Sequence, residues 1–133
     1  MIPPMRDLAE FFAVLAEPSR LAMLALLTRH GEMCVCEIQE VLELSQSRAS
    51  RHLKALRQAG LLVDRRVGTW VHYRVTPAPA PRQQQLLEVF DRLLPAGATT
   101  DIDARVATHR AAAHDGCDPA APIAVPSTEG ARS

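Results

Sequence analysis

Two cysteines one residue apart, Cys34-Val35-Cys36, carry the sharpest chemistry in the sequence. Soft, polarisable thiolates select soft ions such as arsenic(III), antimony(III), cadmium or lead over magnesium and calcium. A helix start lowers a thiol's pKa, although Glu32 and Glu37 beside the pair oppose this. The blander reading is two small apolar residues at the beginning of a helix. At 100° per residue, side chains two apart on a helix point about 200° from each other. One ion holding both sulfurs is therefore expected to require the chain to leave helical geometry at 34–36, unwinding the start of that helix. The only other cysteine is Cys117. Three cysteines so placed do not make a secreted disulfide framework.

A second constellation lies just downstream. Residues 45–75 hold seven Lys and Arg against the single Asp64, a balance of +6, whereas 1–44 carry −4 and 76–133 carry −2. The formal net charge of zero hides this sorting, which points to a polyanion partner. Gln46, Ser47, Arg48, Ser50 and Arg51 have the side chains that read base edges: Arg bidentate to guanine, Gln to adenine, Ser to either. Lys54, Arg57, Arg65, Arg66 and Arg74 suit phosphates. For any one of them, a solvated surface cation is the plain alternative. His52, beside Leu53, reads as structural.

The elements that must position these residues follow from periodicity. Leu8, Phe11, Phe12 and Leu15 predict a helix over about 5–16, and Pro18 suits the first turn of a second. Leu21, Leu24, Ala25 and Leu27 form the second helix's expected buried stripe, and Gly31 stops it. Val35, Ile38, Val41 and Leu42 predict a third helix over about 35–43. Ser45 caps a fourth that runs to Ala59, with Ala49, Leu53 and Leu56 inward. Leu61 to Val75 changes period to that of a hairpin about Gly68-Thr69, with a type II′ turn. Thr76 to Pro81 is a stiff linker, and Leu86, Leu87, Phe90, Leu93 and Leu94 predict a helix over about 82–94. The fold class is mainly α with a small β-hairpin, a winged helix-turn-helix. Residues 1–94 are expected to form the DNA-binding and dimerisation domain. Residues 95–133 read as a mostly disordered tail with a short helix near 101–113.

Phe11, Phe12, Leu15, Leu86, Leu87, Phe90 and Leu94 exceed what a small trihelical core covers, at roughly 1.5–3 kcal/mol each. Pairing them across a two-fold axis predicts a homodimer that presents two reading helices to a palindromic duplex, about one DNA turn apart. No apolar run is long enough to span a membrane and no export signal is visible, so a cytoplasmic protein without a membrane partner is expected. No Gly-rich phosphate loop, triad pattern or CxxC motif suggests an enzyme.

The segments LAEPSRLAMLALL (15–27), CVCEIQEVLELSQSRASRHLKALRQAGLL (34–62) and GTWVHYRV (68–75) resemble the ArsR/SmtB family of metal- and metalloid-sensing repressors. The similarity covers about residues 8–94, and CVC followed by SQSRASRHL resembles its arsenic-responsive branch. The resemblance implies a homodimeric repressor of arsenic-resistance genes that leaves operator DNA when arsenite or antimonite engages the thiolates. It makes Cys34 and Cys36 the metalloid ligands, 46–59 the DNA-reading helix and 61–75 the wing. The sequence departs from the commonest arsenic pattern, in which a third cysteine lies three residues past the pair; here Gln39 stands there. Either two sulfurs suffice or Cys117 supplies the third. A thiol redox switch, or a cadmium- or lead-responsive repressor of the same fold, is the alternative.

Overall fold

The computed structural model describes residues 3–112. Its centre is α2 (Pro18–His30), in which Met23, Leu24, Ala25, Leu26 and Leu27 are all buried. Five consecutive buried positions leave no solvent face, so neighbours must surround the helix on every side. Leu21, expected in the buried stripe, is exposed one turn earlier. The Glu17 carboxylate caps the helix by accepting from the Ser19 N–H at 2.7 Å, and Gly31 ends it at φ 81°.

Against α2 pack α1 (Pro3–Leu15), α3 (Val35–Leu42) and α4 (Gln46–Gln58). A short turn joins α3 to α4, with Glu43 left-handed at φ 58°. The Ser45 hydroxyl accepts from the Arg48 N–H at 3.2 Å and caps α4 as its sequence position predicts. Ala49, Leu53 and Leu56 face inward as expected.

A hairpin of β2 (Leu62–Val67) and β3 (Trp70–Val75) follows, and Val67 pairs with Trp70 around Gly68-Thr69. Only the first central residue has positive φ, Gly68 at 62°, as a type II′ turn requires. A two-residue strand, β1 (Met33–Cys34), was not anticipated. It pairs with β3, Met33 opposite Tyr73 and Cys34 opposite His72, giving the sheet order β1-β3-β2. Two residues are too few for any alternation to register in the sequence.

Helix α5 (Pro81–Leu93) returns across the body, and the Gln83 amide donates to the Ala59 carbonyl at 2.8 Å. Gly60, at φ 80°, permits that approach, because a Cβ there would stand 3.0 Å from Gln83 Nε2. The proposed dimer face is only partly available. Phe11, Leu15 and Phe90 are buried in the chain's own core, Leu86, Leu87 and Leu94 are half-buried, and Phe12 and Leu93 remain exposed. Three of the seven therefore need no partner, because the chain's own core covers them.

The short helix expected near 101–113 is present, and it packs onto the body. Residues 100–112 form α6 (Thr100–Ala112), which buries Val106. Asp103 ties α6 to α2 through Arg29 and His30, both at 2.7 Å. Those hydrogen bonds hold the Asp103 carboxyl down at about 2. The Arg105 guanidinium donates to the Val41 carbonyl, and Arg110 lies 3.1 Å from Glu37, so α6 runs antiparallel along α3. The folded body therefore extends past the boundary expected at residue 94. Among the described residues no single helix is long and apolar enough to cross a membrane.

Candidate nucleic-acid interface and thiol site

Buried Ala49, Leu53 and Leu56 turn the opposite side of α4 outward. Gln46, Ser47, Arg48, Arg51, Lys54 and Arg57 are exposed there and Ser50 is half-buried. Among the described residues no ion pair engages Arg48, Arg51, Lys54 or Arg66. Arg57 is spoken for, 3.3 Å from Asp64 of β2.

The wing differs. Arg65 makes a close ion pair with Glu32, 2.6 Å from Nη2, and Arg74 lies 3.7 Å from the same carboxylate. Glu32 precedes β1 by one residue, so two of the five cations assigned to phosphates are drawn toward the base of the thiol segment. Sequence reasoning counted Glu32 only as a brake on thiol ionisation. Nothing local announces a pairing across 33 residues.

His52 is buried on the inner side of α4, and its Nδ1 accepts from the Arg20 Nε–H at 3.0 Å. Burial pushes its pKa below the usual histidine value, against the pull of Glu17. It anchors α4 to the start of α2, the structural role read from the sequence. His72 is buried opposite Cys34, and burial lowers its pKa too, against Glu32 at 3.7 Å.

The thiol pair departs from the helix-wheel expectation. Cys34 is not on the helix: it closes β1 as the N-cap of α3, extended at φ −67° and ψ 147°, while Cys36 stands in the first turn. The two sulfurs engage one another at 2.8 Å, and the Cys34 sulfur also accepts from the Cys36 N–H at 3.4 Å. The premise that the sulfurs face opposite sides is overturned, and so is the inference that gripping one atom must unwind α3. The strand-to-helix junction already brings them together. Cys34 is fully buried, whereas Cys36 is partly exposed.

Cys36 opens on a cleft of about 450 Å³ between α3, the outward face of α4 and the hairpin. Gln46, Ser50 and Lys54 line it on one side, and Arg66, Trp70 and Val71 on the other. Cys36 and the outward face of α4 thus share one depression. Among the described residues no group of three or more His, Cys, Asp or Glu is arranged to hold a metal ion. The expected third ligand, Cys117, lies outside the described residues.

Residues 17–63 match the bacterial regulatory protein, arsR family. Arsenic resistance transcriptional regulator ArsR1 of Pseudomonas putida is 54% identical over 66 residues, which are 50% of this chain and 52% of that protein. The chain thus spans about half the length of that relative. ArsR2 of the same organism, also an arsenic resistance transcriptional regulator, is 40% identical over 80 residues, 60% of this chain and 70% of that one. The crystal structure of M. tuberculosis Rv0081 superposes with a TM-score of 0.58 at 32% identity, covering 84% of this chain and all of that one. Fold, element order and these similarities agree: the chain belongs to the arsR family of bacterial regulatory proteins.

Proposed function

We propose that this protein is a transcriptional repressor that binds operator DNA as a homodimer and leaves it when arsenic(III) or antimony(III) is taken up by Cys34 and Cys36. The observation that carries the reading is the thiol pair, its sulfurs 2.8 Å apart, beside the same cleft that holds Gln46, Ser50 and Lys54 of the reading helix. Soft sulfur donors fit these metalloids, and the similarity to arsenic resistance regulators favours them. Base reading falls to Gln46, Ser47, Arg48, Ser50 and Arg51, and phosphate contacts to Lys54 and Arg66 with Arg57, Arg65 and Arg74 beside them. Exposed Phe12 and Leu93, with half-buried Leu86, Leu87 and Leu94, supply the apolar surface for a second copy.

The link from pair to DNA runs through packing already present. Cys34 faces His72 across the sheet, and Glu32, two residues before it, holds two wing arginines. Cys36 is the second residue of the helix that sets α4. A coupling of about 1–3 kcal/mol between thiol ligation and DNA binding weakens the latter about 5- to 150-fold.

The test is an operator gel shift titrated with arsenite, using the wild type and the C34S and C36S variants. The variants should hold the operator and ignore arsenite; release that persists in them overturns the reading. The closeness of the two sulfurs also favours a redox-responsive repressor, and parallel titrations with peroxide and cadmium separate that reading from metalloid release.

A further inference from the structure

We propose that α6 is a strap that clamps both ends of α3 and so sets the angle at which α4 meets DNA, with Arg105 and Arg110 as its positioning residues. The inference rests on the DNA-binding part of the reading above and is independent of what the thiols bind.

Helix α3 (Val35–Leu42) has eight residues, about two turns, and a helix that short does not hold its own shape in water. Its last carbonyls find no partner within the helix. What both ends lack, α6 supplies. Arg105 Nη1 donates to the Val41 carbonyl at 3.1 Å and lies 3.3 Å from Glu43 Oε2. Glu43 is the left-handed residue of the turn into α4, so one guanidinium engages the end of α3 and that turn together. It also places a cation at a helix C-terminus, where the backbone dipole favours one. Asp101, 2.9 Å from Arg105 Nε, steadies the guanidinium from within α6.

At the other end, Arg110 Nε meets Glu37 Oε2 at 3.1 Å in the first turn of α3. Glu37 is fully buried, and its Oε1 has no hydrogen-bond partner among the described residues. Arg110 is the cation that balances this carboxylate, and removing one partner of a buried pair is costly. A third anchor lies away from the helix-turn-helix, where Asp103 bonds Arg29 and His30 in the last turn of α2.

Charge attaches the strap more than apolar burial does. Val106 is the one buried residue of α6, and Ile102 packs partly against the core. The side chains of Arg29, Asp103, Arg105 and Arg110 remain partly exposed, so salt reaches their pairs. A helix held in this way opens locally before the body unfolds. Its release frees α3 at both ends, and α4 loses its fixed angle.

The test follows α6 docking by amide hydrogen exchange and DNA binding by fluorescence anisotropy, on the full chain, with the operator and a random duplex of equal length. In the wild type, α6 amides should exchange ahead of those of α2, and raising salt from about 0.1 to 1 M should widen the gap. D103A cuts the anchor on α2, which bonds neither α3 nor α4. It should deprotect α6 and lower operator affinity about fivefold, while affinity for the random duplex stays as in the wild type. R105Q and R110Q should lower operator affinity about tenfold, and R110K, which keeps the cation, should retain it. Unchanged operator affinity in D103A with α6 deprotected overturns the strap. So does a loss shared equally by operator and random duplex, which a general loss of stability produces. Exchange of α6 only together with α2 overturns it as well. A wild type that binds operator and random duplex alike overturns the DNA reading itself. If R110Q does not fold, D103A and R105Q decide.

Discussion

The reading helix and the wing both contribute cations around one cleft, yet they hold their charge in different ways. Arg48, Arg51 and Lys54 of α4 are exposed and take part in no ion pair among the described residues. On the wing, Arg65 and Arg74 converge on Glu32, and Arg66 alone of the three wing arginines makes no such pair. Seven positive residues over 45–75 thus amount to fewer available charges than their number suggests. A cation already facing a carboxylate must break that pair before it can neutralise a phosphate, and an exposed pair is itself worth only about 0–1 kcal/mol. On the proposed reading, the wing therefore contributes charge to DNA only conditionally, with the condition set by Glu32.

The largest effect expected from this difference is on α4. R48A or R51A should weaken operator binding by about 1–3 kcal/mol and relax preference at a single base position, as loss of a bidentate base contact does. Titration of operator variants by fluorescence anisotropy measures both. A uniform loss across all sequences would move these residues to the phosphate class.

Next in size is the salt response. K54A and R66A should each lower the slope of log affinity against log salt by about 0.9, the share of one phosphate contact, whereas R65A should change it less. Equal losses from R65A and R66A would erase the distinction between paired and unpaired wing cations. E32Q sharpens the same point from the other side. Removing the carboxylate frees Arg65 and Arg74 together, so non-specific DNA affinity should rise several-fold with a steeper salt slope. If affinity falls instead, Glu32 holds the wing in its binding geometry rather than withholding its charge.

The parts legible in the sequence are those governed by local rules. Helix periods, the Ser45 cap and the Gly68-Thr69 turn each depend on neighbours within a turn or a hairpin, and each appears within a residue or two of its predicted place. The outward face of α4 was legible for the same reason. What could not be read were relations across the chain: Glu32 reaching Arg65, α6 lying along α3, and His72 brought opposite Cys34 by a two-residue strand. The thiol geometry failed for a sharper reason. The helix expected over about 35–43 begins where predicted, so Cys34 lies before it in extended backbone, where the helical angle between side chains does not apply and the two sulfurs converge. Fully buried Glu37 illustrates the same gap, since its partner Arg110 stands 73 residues away.

The smallest expected effect separates the two regions by their buried histidines. His52 fixes α4 through the Arg20 guanidinium, with Glu17, Arg48 and Arg51 also acting on it. His72 sits in the wing strand with Glu32 and Arg65 nearby. Burial lowers both pKa values from the ordinary 6.5, so as pH falls the unfolded chain takes up these protons before the folded one. Stability is then full above about pH 6.5 and declines through the window below it, down to the folded-state values. The melting temperature should drop between about pH 7 and pH 5, and H52Q with H72Q should flatten that drop. Protonated His52 also loses the lone pair that Arg20 donates to and gains a charge facing a guanidinium. A carboxylate partly offsets the proton on each, Glu17 for His52 and Glu32 for His72, so the lost Arg20 hydrogen bond should make H52Q flatten the curve more than H72Q. An equal response from the two single variants would mean that burial alone, and not the Arg20 contact, sets the pH sensitivity of the reading helix.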